Sequence, residues 1–206
     1  MSSIFNPRYR LDNKSASVSK TLFTISRAIK NLEWKKGKIK NLTPSQIEIL
    51  LFLNYLRPDA ASVNAVNNYL SYKPSTVTGI LNTLENKKLI ERKRLSSDRR
   101  HVHLKLTPLG IKVINLIKDL GTEIESIINE LNNNEREILE KLLSKVSEKI
   151  IERGYVSTAE ICITCCYFNA DKNPDSKKPH YCKCLNIPLS KEDIYQECPD
   201  YKMGLT

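Results

Sequence analysis

Two Thr-Pro pairs, Thr43-Pro44 and Thr107-Pro108, bracket a stretch in which the apolar rhythm runs helical, then alternates, and then turns helical again. A threonine oxygen accepts from the amides of a first helical turn, and a proline at the first helical position has no amide to leave unpaired, so each pair starts a helix. Leu42-Thr43-Pro44-Ser45-Gln46 adds glutamine at the third helical position, which makes a capping box and predicts a helix through Leu56 with Ile47, Leu50, Leu51 and Leu53 inward. Arg57-Pro58 ends it. A short helix is expected from about Ser62 to Tyr69, with Val63, Val66 and Leu70 on one face, and Pro74 opens another from Ser75 to Lys87. That second helix is apolar on one side (Val77, Ile80, Leu81, Leu84) and small and polar on the other (Ser75, Thr76, Thr78, Asn82). Ile90, Arg92 and Arg94, then Val102, Leu104 and Leu106, alternate with polar residues and predict a two-stranded hairpin with Ser96 to Arg100 at its tip.

The flanks are helical and apolar beyond what a core of this size can cover. Val18, Leu22, Ile25, Ile29 and Leu32 draw one stripe between Ser15 and Trp34. Val113, Ile117, Leu120, Ile124, Ile127 and Leu131 keep a helical rhythm that predicts one helix over Leu109 to Leu131, and a last helix is expected from about Asn134 to Arg153. Such stripes are expected to meet their counterparts in a second subunit.

Charge is unevenly spread: residues 1–40 and 41–107 carry excesses of +8 and +5, while residues 108–156 and 157–206 carry −2 and −1. A basic half beside a near-neutral one suits a chain that meets a polyanion with one face. The longest apolar stretch, Ile47 to Leu53, is interrupted by Glu48 and is far shorter than the roughly 20 residues of a bilayer-spanning helix. Charges among the first 20 residues replace the apolar region of a signal peptide, so neither membrane insertion nor secretion is expected and a cytoplasmic location is. With six glycines and no GxGxxG or GxxxxGK[ST] string, nucleotide chemistry is not expected either.

Helix, short helix, polar-faced helix and basic hairpin in that order make a winged helix-turn-helix, whose polar-faced helix enters the major groove while the wing reaches backbone or minor groove. Residues 15–153 resemble the MarR family of dimeric transcription regulators. The resemblance is carried by Leu42-Thr43-Pro44-Ser45-Gln46, Ser75-Thr76-Val77-Thr78, Leu84-Glu85, Leu89-Ile90-Glu91-Arg92, Asp98-Arg99-Arg100 and Leu106-Thr107-Pro108-Leu109-Gly110. It implies that Lys73, Ser75, Thr76, Thr78 and Asn82 face base edges or phosphates, and that Arg99 or Arg100 inserts at the wing tip with Asp98 holding it. Arginine suits a narrow minor groove. One position departs from the family: Lys88 stands where a glycine usually closes the recognition helix in a left-handed conformation, at a cost on the order of 1 kcal/mol.

All six cysteines fall in the tail, at Cys162, Cys165, Cys166, Cys182, Cys184 and Cys198. A tail poor in core residues needs a staple, and in a reducing compartment thiolates on a metal are expected before disulfides. Cys162-x-x-Cys165 with Cys182 and Cys198 supplies four thiolates. Cys166, Cys184 and His180 stand beside them as substitutes. Zinc comes first and an iron–sulfur cluster second, since no spacing here separates the two. The tail also resembles a cysteine-rich extension found on some MarR-like proteins, through Tyr167-Phe168 and His180-Tyr181-Cys182.

The sequence thus predicts a mainly α, non-enzymatic chain in four parts. These are an N-terminal dimerisation helix (1–40), a winged helix-turn-helix (41–107), C-terminal dimerisation helices (108–156) and a small cysteine-rich metal-binding module (157–206). The expected function is a homodimeric, sequence-specific regulator of double-stranded DNA, in the first instance a repressor, whose tail senses metal or redox state. The alternatives are a purely structural zinc with a small-molecule effector in the dimer cleft, and a non-specific architectural DNA-binding protein. A thiol-exchange enzyme would require a βαβ pattern around the CxxC, which the sequence lacks.

Overall fold

The computed structural model describes residues 3–95, 98–202 and 204, with the side chains of 39 and 94–101 outside the description. A short helix α1 (Pro7–Asp12), not anticipated from the sequence, precedes the long α2 (Lys14–Gly37), which Asn13 caps by accepting from the Ala16 amide at 2.9 Å. Then come α3 (Pro44–Tyr55), α4 (Val63–Leu70) and α5 (Pro74–Asn86), the hairpin β1 (Ile90–Leu95) and β2 (Asp98–Leu106), and α6 (Pro108–Ile117), α7 (Thr122–Asn129) and α8 (Asn133–Glu152).

The capping box at Thr43 and Gln46 is formed, and α3 runs through the centre of the core with Ile47, Ile49, Leu50, Phe52 and Leu53 all buried. A helix apolar on nearly every side must be enclosed, and α2, α5, α6 and β2 enclose it. Ser62 caps α4, and the Leu104 amide of β2 donates to Ala61 O at 2.9 Å, which fastens the hairpin to the start of that helix.

The continuous helix expected over Leu109–Leu131 is instead two. α6 stops at Ile117, the chain turns over 118–121, and α7 starts after Gly121. Helical spacing survives a one-turn interruption, so the rhythm could not reveal it. The turn lets Leu120 reach the core, while Asp119 Oδ2 lies 2.9 Å from Lys36 Nζ on α2. α6 itself buries Val113, Ile114 and Ile117 in the winged-helix core, so that core continues past residue 107. None of the described helices is long and apolar enough to cross a membrane.

The tail forms a small module of short strands. β3 (Glu160–Ile161) pairs with β7 (Glu197–Cys198), and β4 (Phe168–Asn169), β5 (His180–Cys182) and β6 (Ile187–Leu189) make an antiparallel sheet. It is seated on the end of α3: Leu56 bridges Glu197, and the Arg57 amide donates to Glu197 O at 3.2 Å.

Candidate nucleic-acid interface and cysteine centre

α5 buries Val77, Leu81 and Leu84 completely and exposes Lys73 at its cap together with Ser75, Thr76, Thr78 and Asn82. The polar residues foreseen as base- and phosphate-facing therefore share the solvent side of a helix whose other side is locked. Thr78 Oγ1 donates to Pro74 O at 2.8 Å, leaving its lone pairs to accept from a partner. Asn82 is partly engaged: Arg92 Nη1 donates to its Oδ1 at 2.8 Å and to Glu85 Oε2 at 2.5 Å. Arg92, which the sequence placed only in the first wing strand, thus braces wing against recognition helix. Its signal was the Glu85-to-Arg92 spacing across the helix end.

The angle between them is set by an interlock around Lys88. This residue has φ +58°, the left-handed conformation expected at the position that the family fills with glycine. Its amide donates to Glu85 O at 2.8 Å and the Leu89 amide to Leu84 O at 3.0 Å, the Schellman pair that closes a helix end. Thr107 then joins wing exit to wing entry: its amide donates to Leu89 O at 3.0 Å, its hydroxyl donates to Lys88 O at 2.6 Å, and the same oxygen caps α6 by accepting from Gly110 N. The hairpin register runs from Ile90↔Leu106 to Arg94↔Val102 and shifts between Arg94 and Leu95. At the tip, Ser96 and Ser97 lie outside the described residues, and the side chains of Asp98, Arg99 and Arg100 likewise.

In the tail, Cys162, Cys182 and Cys198 are buried, Cys165 is half-buried, and Cys166 and Cys184 are exposed. Cys162, Cys165, Cys182, Cys184 and Cys198 line one cavity of about 10 Å³ together with Tyr167, Phe168, Leu189 and Asp200. The four cysteines singled out from spacing are thus gathered from the turn after β3, from β5 and from β7, Cys184 joins them, and Cys166 and His180 do not. His180 accepts from the Asp171 amide through Nδ1 at 3.3 Å. The CxxC turn is closed by Cys165 N donating to Cys162 O at 2.9 Å, and the Leu185 amide points at Cys182 Sγ at 3.5 Å. Burial pushes the Cys198 thiol up to about 11, and burial also raises Cys162 against the pull of the Arg57 charge. Among the described residues no three His, Cys, Asp or Glu side chains stand together as a ready metal site. Five cysteines nonetheless border one small cavity, with the Leu185 amide aimed at Cys182 Sγ.

The sequence profile of the MarR family matches residues 40–101, the stretch from the start of the capping box to the wing. The transcriptional regulator PecS of Dickeya dadantii is 29% identical over 148 residues, covering 71% of this chain and 89% of PecS. MhqR of Bacillus subtilis, also a transcriptional regulator, is 26% identical over 131 residues, covering 62% of this chain and 89% of MhqR. Among solved structures, S. aureus MepR in its DNA complex superposes with a TM-score of 0.58 at 27% identity, over 64% of this chain and 96% of MepR. Helix order and wing agree with these matches, and the chain carries a winged-helix DNA-binding domain similar to those of the MarR-type transcription regulators, which are not enzymes.

Proposed function

We propose that the chain acts as a homodimer that binds a specific double-stranded DNA operator, as a repressor, and that its tail carries a zinc centre. The observation that carries the DNA reading is α5, fully buried along Val77, Leu81 and Leu84 and open along Ser75, Thr76 and Thr78. The dimer reading rests on apolar surface left bare: Val18, Phe23 and Ile25 on α2 are 59%, 56% and 44% exposed, and Ile138 and Leu142 on α8 are 51% and 57% exposed. α8 buries no residue at all within the described chain, which is a helix waiting for a partner. Two recognition helices held about 34 Å apart would meet successive major grooves of one operator.

Zinc is put before an iron–sulfur cluster because cysteine thiolates alone can complete its tetrahedral shell, whereas a cluster also brings inorganic sulfide, and metal analysis decides between them. When bound, the ion would supply only fixed charge and cross-linking, held by Cys162, Cys165, Cys182 and Cys198 with Cys184 in reserve. A small-molecule effector is a second reading favoured by one observation, an apolar cavity of about 380 Å³ between α2 and α7 lined by Ile29, Leu32, Leu120, Ile124 and Ile128.

The test is operator selection from a random duplex pool, followed by anisotropy titrations over a range of salt. Sequence preference that Arg100→Ala and Ser75→Ala weaken without changing the sedimentation coefficient of a dimer supports this reading. A salt-dependent affinity indifferent to sequence would identify an architectural protein instead. Metal analysis on protein purified without oxygen checks the tail: about one zinc per chain is expected, and a brown, iron- and sulfide-containing sample would overturn the choice of zinc.

A further inference from the structure

The cysteine module follows α8 in the chain but is fastened to the exit of α3. Leu56 pairs with Glu197 of β7 as a parallel bridge, and the Arg57 amide donates to Glu197 O at 3.2 Å. Ala159, one residue before β3, is 8% exposed and packs into the winged-helix core rather than into the core of the module. The module therefore touches the DNA-binding unit through main chain and side chain alike, and both contacts come from the strand pair β3–β7 and the residue that leads into it.

The segment that receives these contacts also carries the wing. After Arg57 the chain turns, with the Ala60 amide donating to Arg57 O at 3.0 Å. Ala61 O then accepts from the Leu104 amide at 2.9 Å, and Ser62 bridges His103 in the antiparallel sense. His103 and Leu104 belong to β2, and Leu104 stands opposite Arg92, the residue that ties the wing to α5. A row of main-chain contacts thus runs from β7 through residues 56–62 to β2. Side chains leave space beside it: Arg57, His103, Leu185, Ile187 and Pro199 are among the walls of a cavity of about 480 Å³ that the module shares with the wing strand and α4.

We infer that the cysteine module is a buttress of the wing: β7 fixes residues 56–62 and these fix β2, so a seated module holds the wing at the angle that operator binding needs. This rests on the DNA-binding reading of α5 and the wing, and it needs no metal in the module. β3 and β7 are only two residues long each, and a contact made of so few hydrogen bonds opens locally at a lower cost than the whole domain unfolds. Unseating the module therefore loosens the wing while the winged-helix core stays folded, and the tail acts on the operator through β2 rather than through the dimer helices.

The experiment uses the full chain, wild type and Ala159→Asp, which places a charge in the buried seat and leaves residues 41–107 unchanged. Amide exchange is read at Arg57 and Leu104, the donors at the two ends of the row, beside sedimentation and anisotropy on a duplex recovered from the random pool. In Ala159→Asp both amides should exchange faster, the sedimentation coefficient should hold, and operator affinity should fall by about 5–150-fold, the usual reach of coupling between sites. Should the variant fail to fold, a chain with a protease site inserted after Gly154 decides. Cut there, the module should co-elute with the rest, and the urea concentration that releases it should be the one at which Leu104 loses protection. Unchanged exchange at both amides in Ala159→Asp overturns the seat. Fast exchange at Arg57, or a released module, with Leu104 still protected overturns the buttress, as does affinity lost while Leu104 stays protected. A wild-type chain that selects no duplex, with Leu104 loosened in the variant, refutes the DNA reading and leaves the hold of the module on the wing standing.

Discussion

Gly110 tests the interlock between wing and helix more sharply than any charged residue does. It is the third residue of α6, and in a helix interior Gly→Ala ordinarily stabilises by roughly 0.5–1 kcal/mol because alanine has less freedom to lose. Here a Cβ at residue 110 would stand 2.1 Å from Leu89 O and 3.1 Å from Leu89 C. Backbone cannot swing aside as a side-chain tip can, so α6 and the wing entry must move apart by about 1 Å to reach van der Waals distance. Leu89 O is also the acceptor for Thr107 N at 3.0 Å, a bond that the separation weakens. Overpacking of about 1–3 kcal/mol and a hydrogen bond worth about 1 kcal/mol, less the propensity gain, leave Gly110→Ala less stable by roughly 1–3 kcal/mol. The assay is urea unfolding followed by circular dichroism at one protomer concentration, because dimerisation makes the midpoint concentration-dependent. Gly79→Ala on the open side of α5 is the control: nothing lies within 4 Å of its Cβ, and a gain of up to ~1 kcal/mol is expected. A Gly110→Ala protein as stable as wild type would refute the close approach of α6 to Leu89.

Lys88→Gly should have the opposite sign, raising stability by about 1 kcal/mol in the same assay, since φ +58° strains any residue with a Cβ; no gain would mean that the lysine is repaid elsewhere. Arg92→Ala should cost less than ~1 kcal/mol in stability, because its pair with Glu85 is partly solvent-screened, yet weaken operator affinity by loosening the wing. Unchanged affinity in anisotropy would show that the wing is held without it. Leu142→Asp should shift the sedimentation coefficient from dimer to monomer, since this side chain is 57% exposed on a helix that buries nothing of its own; a persistent dimer would place the interface elsewhere. Cys162→Ser with Cys165→Ser should abolish zinc uptake and release the tail to proteolysis while most helicity remains, and a global loss of helicity would show that the tail is part of one cooperative unit.

The elements whose causes are local could be read from the amino-acid sequence. Thr43 and Thr107 cap helices because oxygen, proline and first-turn amides lie within four residues of one another. The two faces of α5 follow from a period, whereas the left-handed turn at Lys88 was marked only through the family resemblance, as the position before Leu89-Ile90. The gathering of Cys162, Cys165, Cys182 and Cys198 was foreseeable only as chemistry, a tail with sulfur and little else to hold it. Tertiary structure decided the rest. The interruption at 118–121 leaves the apolar period intact, and it exists because Leu120 is drawn into the core and Asp119 to Lys36. Cys184 lines the cavity and Cys166 does not, although each is adjacent or nearly adjacent to another cysteine; both lie in turns beside β4 and β5, whose course no local period gives. Arg57 reads in the sequence as nothing more than a helix end before proline. Its burial against Glu197 joins positions 140 residues apart, and no local rule of capping or period reaches that far.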